Sequence, residues 1–339
     1  MPADDSNQSP RIVVAIVSTN DIRHLDGCLR SLAASTHRDF QIIICENGGQ
    51  AVFERVVDTL RGFEFLSEVT PPHAQVMPAK QMRHEFLLGD ARQKVSLINP
   101  GRNLGYAGGV NFCIAAAPPG SWDAIWVLNP DTFPDPNALA ALVHHQRTGN
   151  YGIVGSRLLW ADSGLVQTWG GLKWYSWLGR GAYLGLNSPA ETIPDVAEVE
   201  RSLAFISGAS MYVSREYIET VGVMDEDFFV YCEDVDWCLR HGAFRLGYAH
   251  DSIVRHVGGG TSGKFSTSGS RFTVYLGIRN LILLARKRHG AAWPICAVIA
   301  LSLALVFQLL RARSFRRLRF ALDGWWAGVR GERGAPYFI

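Results

Sequence analysis

Over the first 130 residues, unbroken apolar runs alternate with stretches whose apolar positions recur at helical spacing. RIVVAIVS at 11–18 is rich in β-branched residues and stops at Thr19-Asn20. A helical stretch with Leu25, Cys28, Leu29 and Leu32 follows, and FQIIICEN occupies 40–47. VSLINPG at 95–101 and AIWVLNPD at 124–131 continue the alternation. Buried runs separated by helix-period segments predict parallel strands of an α/β sheet flanked by helices, with residues 11–131 as a nucleotide-binding half. From about 150 the texture changes to irregular Gly and Trp (VQTWGGLKWYSWLGRGAYLG). Such aromatics suit a binding surface more than a repeated βα unit, so 132–270 is expected to form the acceptor side, with Trp169 and Gly208 as candidate contacts. AFISGASMYVS at 204–214 reads as a strand, and EDVDWCLRH at 233–241 as a helix stopped by Gly242.

Residues 291–310 (AAWPICAVIALSLALVFQLL) carry no charge and are about as long as a hydrocarbon crossing. Basic clusters flank them, Arg286, Lys287 and Arg288 before, and Arg311, Arg313, Arg316, Arg317 and Arg319 after. Both flanks being cationic argues for a re-entrant or in-plane segment broken near Pro294, with both ends on the cytoplasmic face. A buried core helix is the plain alternative. Residues 271–339 are therefore expected to be a helical, membrane-associating extension, with Trp325 and Trp326 as interfacial anchors.

The net charge of +2 hides an asymmetry that supports this division. The extension holds 12 Lys+Arg against 2 Asp+Glu, which leaves 21 against 29 for residues 1–270. A length of 339 with 47% apolar residues supports a packed core and excludes a disordered chain. Six scattered cysteines fit neither a zinc site nor a disulfide framework. The opening MPADDSNQSP (1–10) lacks the apolar core of a secretory signal and reads as a disordered leader.

Ligands of α/β sheets bind beyond the carboxyl ends of strands, which singles out four places. Thr19-Asn20 and Glu46-Asn47-Gly48-Gly49 could hydrogen-bond a base and ribose, or could be ordinary turn chemistry. The segment from Asn103 to Asn111, with Gly105, Gly108 and Gly109, lets backbone approach something closely, for which phosphate or sugar is the usual reason. The G-x-G-x-x-G fingerprint after the first strand is missing, which disfavours a nicotinamide enzyme. Asn129-Pro130-Asp131 places a carboxylate where a divalent cation could hold a diphosphate, although the tripeptide is also a common turn. Further on, six carboxylates fall within residues 225–236, interleaved with aromatics. Asp234 at a helix start is the candidate base, Glu233 its neighbour, and Asp236 either an acceptor contact or the i, i+4 partner of Arg240. His256 precedes Gly258-Gly259-Gly260, and so is either structural or a metal or phosphate contact.

In order and spacing, VVAIVSTN, IICENGG, NLGYAGGVN, WVLNPDT, the segment from ISGASMYVS to EDVDWCLR, and HVGGGTS resemble the family 2 glycosyltransferases of the GT-A fold, in their rhamnosyltransferase-like branch. The resemblance covers residues 11 to about 265. It implies a Rossmann-like, mostly parallel central sheet, Thr19 and Glu46 at the nucleoside, Asp131 and His256 on Mg²⁺ or Mn²⁺, and Asp234 as general base. Asn20, Asn103, Gly105, Gly108, Gly109 and Asn129 complete the expected donor site, and Trp169, Gly208, Glu233 and Asp236 the acceptor site. Asn129 stands where the metal motif usually has its first Asp, and Glu46 where Asp is more usual. The reaction implied is inverting transfer from a nucleoside-diphosphate sugar, with dTDP-L-rhamnose preferred over UDP-hexoses, to a lipid-linked or polysaccharide acceptor at the cytoplasmic face of a bacterial inner membrane. No nucleic-acid partner is expected. A glycosidase would leave the metal motif unexplained, and a non-catalytic nucleotide-binding module is the other alternative.

Overall fold

The β-branched run near the N-terminus forms β1 (Ile12–Ser18), and all seven of its residues are buried. Both faces are covered because Ile12, Val14 and Ile16 enter one hydrophobic cluster while Val13, Ala15 and Val17 enter another. The structure is a computed structural model that describes residues 9–69, 82–258, 270–306 and 315–339. After β1 come α1 (Ile22–Ala33), β2 (Phe40–Glu46), α2 (Gln50–Arg61), β3 (Leu66–Val69), β4 (Met82–Leu88), β5 (Gln93–Asn99), α3 (Gly105–Ala116), β6 (Ala124–Leu128), β7 (Thr132–Pro134) and α4 (Ala138–Arg147). The second half runs β8 (Tyr151–Trp160), β9 (Val166–Trp169), β10 (Gly171–Tyr175), β11 (Arg180–Tyr183), α5 (Val196–Ser202), β12 (Phe205–Ile206), β13 (Ser210–Ser214), α6 (Arg215–Val221), α7 (Glu233–Leu239) and β14 (Arg245–His256). Helices α8 (Arg271–His289), α9 (Trp293–Val306) and α10 (Phe315–Arg330) follow.

One sheet of eleven strands unites both halves in the order β3-β4-β5-β2-β1-β6-β13-β8-β14-β7, with β9 beside β8. The expectation of a mostly parallel sheet needs correcting. The run β5-β2-β1-β6 is parallel, as is β8 with β14, but β13 enters antiparallel between β6 and β8, and both sheet edges are antiparallel too. The apolar run at 204–214 is also two strands, because the chain breaks at Ser207-Gly208-Ala209 between β12 and β13. Helices α1, α2 and α4 cover one face of the sheet, while α3, α6 and α7 cover the other.

The last three helices pack onto the rest of the protein. Leu283 and Leu284 of α8 join the cluster under α3 and α7, and Tyr275 and Leu276 pack with Phe229. Helices α8, α9 and α10 share a cluster of Ile278, Ile282, Ala297 and Ala321, and Trp325 donates to the Ala297 carbonyl at 2.9 Å. Among the described residues no helix is long and apolar enough to cross a membrane. Residues 1–8 of the expected leader, Gly259 and Gly260 with the Thr261-Ser262 that follow them, and Arg311 and Arg313 lie outside the described residues.

Candidate active site

Because β1, β2 and β6 are parallel and in register, with Ser18 beside Glu46 and Ile16 beside Leu128, their carboxyl ends open on one edge of the sheet. The loops that follow bring Thr19-Asn20, Glu46-Asn47 and Asn129-Pro130-Asp131 together there. Thr19 and Asn20 are exposed. Glu46 is wholly buried, accepting from Ser18 Oγ at 2.6 Å, the Asn20 amide at 3.1 Å and the Gly48 amide at 2.7 Å. Glu46 thus shapes the two strand ends, and Thr19 and Asn20 are what this edge offers a ligand.

Antiparallel pairing of β7 with β14 sets His256 opposite Thr132, next in chain to Asp131. The imidazole Nε2 lies 3.3 Å from Asp131 Oδ1, and Nδ1 is 2.8 Å from Gln167 Oε1. All three side chains are buried. Nδ1 faces the Gln167 acceptor and Nε2 faces the carboxylate, so an Nε2 proton bridges the pair, and a cation that took the place of that proton would satisfy both groups. Burial alone would raise the Asp131 pKa, but the hydrogen bond and charge of His256, with a smaller share from His24, outweigh it and keep the carboxyl below its ordinary range. An ionised carboxylate with an oriented imidazole is a donor pair that would suit a divalent cation. Among the described residues no group of three or more His, Cys, Asp or Glu side chains forms a fuller metal site.

Asp234 lies in the first turn of α7, and its carboxylate would meet a side chain at Gly208. It accepts from the Val235 amide at 2.8 Å. Burial raises the Asp234 pKa to about 6, with backbone amides of Val235 and Gly208 pulling the other way. Glu233 beside it is 5% exposed, and its Oε2 has no hydrogen-bond partner among the described residues. Burial, and then the Asp234 charge, push Glu233 well above the carboxylate range, so Glu233 is held as the neutral acid and Asp234 carries the charge.

Tyr106 joins the two sides. Its hydroxyl sits 2.8 Å from the Gly208 carbonyl and 3.0 Å from Asn129 Oδ1, and its pKa is raised first by burial and further by the charges of Asp234 and Asp131. Tyr183 at the end of β11 also lies within the field of Asp234, which adds to the effect of burial on its hydroxyl. Trp169 is half-buried against Gly185, and the residue after it, Gly170, accepts from the Ser207 amide beside Gly208.

Two sequence expectations are corrected here. Gly105, Gly108 and Gly109 are buried turns of α3 packed on protein. A Cβ at Gly105 would overlap the Phe229 carbonyl, one at Gly108 would crowd Leu104, and one at Gly109 would crowd Val17. Close backbone approach was legible in the glycines, but the approaching partner is the chain itself. Asn103 is exposed ahead of this helix and its Oδ1 accepts from the Gly105 amide at 2.9 Å. Asp236 likewise turns away from the cleft, 1% exposed, paired with Arg240 at 2.9 Å, Lys287 at 3.4 Å and Arg288 at 3.5 Å. With three cations on it, this carboxylate is not free for an acceptor. Sequence reasoning singled out the segments that hold Tyr106, Gln167 and Tyr183 but gave none of the three a role, because glycine and tryptophan carried the signal in both segments.

Residues 78–222 match the family model described as Glycosyl transferase family 2. The chain is similar to the N-acetylglucosaminyl-diphospho-decaprenol L-rhamnosyltransferase of Mycobacterium tuberculosis, 25% identical over 315 residues that cover 87% of this chain and 91% of that protein. It is also similar to a low-salt glycan biosynthesis hexosyltransferase of Haloferax volcanii, 22% identical over 247 residues, 71% of this chain and 78% of the other. The solved mannosyltransferase of Pyrobaculum calidifontis, in complex with GDP-Man and Mn²⁺, superposes with a TM-score of 0.51 at 13% identity, over 97% of this chain and 88% of that one. At that identity the likeness bears on the fold.

Proposed function

From the premise that this chain carries a family 2 glycosyltransferase domain and uses a nucleotide-sugar donor, we propose that it moves L-rhamnose from dTDP-L-rhamnose to a hydroxyl of a lipid-linked or polysaccharide acceptor, with inversion. The observation that carries the proposal is the placement, on either side of Tyr106, of the Asp131–His256 pair and the Asp234 carboxylate. The Mycobacterium tuberculosis relative, by its name a rhamnosyltransferase acting on a diphospho-decaprenol, supports both the sugar and the acceptor class.

In this mechanism Asp131 and His256 would hold Mg²⁺ or Mn²⁺, which when bound would offset the charge of the diphosphate. Thr19 and Asn20 meet the nucleoside. Asp234 accepts the proton of the acceptor hydroxyl as that oxygen forms its bond to the anomeric carbon. The bond from that carbon to the diphosphate breaks on the opposite face, and the electron pair leaves with the nucleoside diphosphate. Glu233, kept neutral, adds no second negative charge beside the base. Tyr106, kept protonated, donates a hydrogen bond that fixes Gly208 or Asn129 relative to Asp234. Trp169 and Tyr183 line the acceptor side. The same reading puts the protein at the cytoplasmic face of a bacterial inner membrane, held through residues 271–339.

A thermal-shift and calorimetric panel of dTDP-L-rhamnose, UDP-glucose, UDP-galactose and GDP-mannose, each with Mn²⁺ or with EDTA, tests donor and metal together. A ligand at a hundred times its Kd adds about 2.7 kcal/mol to stability. The expected result is Mn²⁺-dependent stabilisation by dTDP-L-rhamnose, lost in Asp131→Ala and His256→Ala. Preference for a UDP-hexose overturns the sugar assignment, and binding without any turnover favours a non-catalytic module.

A further inference from the structure

Three bulky residues before the base have left-handed backbone, Phe229 at φ +65°, Tyr231 at +73° and Cys232 at +71°. Side chains of this kind seldom adopt that region, and such strain persists only where the surroundings enforce it. The enforcing group lies more than forty residues downstream, in α8. Asn280 is wholly buried, and its amide nitrogen sits 2.7 Å from the Phe228 carbonyl, 2.7 Å from that of Val230 and 2.8 Å from that of Tyr231. Arg279, 1% exposed, reaches the Phe228 carbonyl at 3.1 Å and the Gly334 carbonyl at 2.8 Å, and is braced by Asn280 Oδ1 at 2.9 Å. The flanks are tied to the same region, since Lys287 pairs with Asp225 and Asp236, Arg288 with Asp236, and the Gly334 amide donates to the Asp227 carbonyl at 2.7 Å. From the opposite side the Tyr106 amide donates to the Phe229 carbonyl at 2.7 Å.

We infer that Asn280, supported by Arg279, is a positioning residue for catalysis, holding the 228–232 backbone in the shape that aims Asp234 at the acceptor hydroxyl. Helix α8 is thus part of the catalytic unit. The alternative, that the pair only adds stability, makes a different prediction. Two donor hydrogens shared among the carbonyls of Phe228, Val230 and Tyr231 fix the direction of those peptides, which a purely apolar contact cannot do. A misplacement of about 1 Å at a reacting group costs on the order of a hundredfold in rate.

The role of Asp234 rests on the proposed function, so the test has one arm that depends on it and one that does not. In Asn280→Ala, amide hydrogen exchange over 228–235 is expected to quicken while β1, β2 and β6 keep wild-type protection. On the same protein, dTDP release from dTDP-L-rhamnose with Mn²⁺ is expected to fall in kcat by tenfold or more, at on the order of a hundredfold in the limit, with donor Kd unchanged. The acidic limb of kcat is expected to move to lower pH as water reaches Asp234, which faces Glu233, Tyr106, Tyr183 and the Cys232 thiol. If Asn280→Ala does not fold, Asn280→Ser, which keeps one donor, carries the same measurements. Wild-type exchange over 228–235, or a fall in stability with kcat per folded molecule and its pH limb unchanged, overturns the inference. Quickened exchange in a protein whose wild type turns over no donor leaves the clamp standing and removes the proposed function instead.

Discussion

Asp234 is where a protonation state and a fold stability meet. Its folded pKa of about 6 lies above the ordinary 3.8, so the folded protein binds that proton more tightly than the unfolded chain does. The sign follows. Stability from this group is fully present in acid and is lost as pH rises from about 4 through about 6, and at neutral pH the ionised base is a cost of up to ~3 kcal/mol. Asp234→Asn keeps the shape and an acceptor oxygen for the Val235 amide. It is expected to abolish transfer while leaving donor binding intact, and to raise Tm by a few degrees at pH 7.5, a gain that shrinks as the buffer is taken toward pH 4. Differential scanning calorimetry across pH, beside a transfer assay, reads both effects. Residual transfer near the wild-type level would remove Asp234 from the role of base, and an equal Tm gain at pH 4 and 7.5 would remove the linkage. For the wild type the same pKa sets the acidic limb of kcat near pH 6, with activity rising above it.

Among the elements, the glycines of α3 show how a pattern can be read correctly and assigned to the wrong partner. Gly105 has φ +72°, and its missing Cβ is what lets the Phe229 carbonyl reach the Tyr106 amide. Gly105→Ala adds left-handed strain of roughly 1–2 kcal/mol and forces that carbonyl away, so a loss of about 2 kcal/mol or more is expected in urea unfolding, together with a drop in kcat from displaced Asp234. A variant within ~0.5 kcal/mol of wild type would mean that the contact does not hold the loop. The same limit explains what else the sequence left hidden. The parallel strands and the site-bearing strand ends were legible because buried runs have a period and a length. The antiparallel entry of β13 was not, since a run buried on both faces looks the same in either direction. Asp236 and Arg240 were legible as a local i, i+4 pair. The two further cations on Asp236 come from α8, about fifty residues away, and no local pattern announces them. Arg279-Asn280 did leave a trace, as a polar pair set within the apolar stretch of α8.

At the scale of the whole molecule, charge and apolar surface are segregated in a way that suits one boundary. Helix α9 turns Cys296 and Ala297 inward and leaves Ile295 56% and Val298 60% exposed, while Trp177 and Leu178 of the β10–β11 turn are also exposed. Trp177 stacks on His289 at 4.3 Å between ring centroids, which ties that turn to the end of α8. Exposed Arg286 on α8 and Arg316 and Arg319 on α10 supply positive charge on neighbouring helices, while Lys287 and Arg288 are taken up by Asp225 and Asp236. We propose that α9 lies in the plane of a membrane interface. Sinking Ile295 and Val298 from half-exposure is worth ~2 kcal/mol, or roughly thirtyfold in partitioning, and each Arg near an anionic surface adds about 1 kcal/mol. The full chain is therefore expected to co-sediment with vesicles containing phosphatidylserine or cardiolipin more than with phosphatidylcholine alone, and the difference should shrink as salt shortens the screening length. Ile295→Asp with Val298→Asp should lower binding to both kinds of vesicle by about that thirtyfold while leaving donor binding in solution unchanged, because neither side chain touches the cleft. Equal partition into neutral and anionic vesicles would take the arginines out of the account, and undiminished binding by the double variant would take out α9.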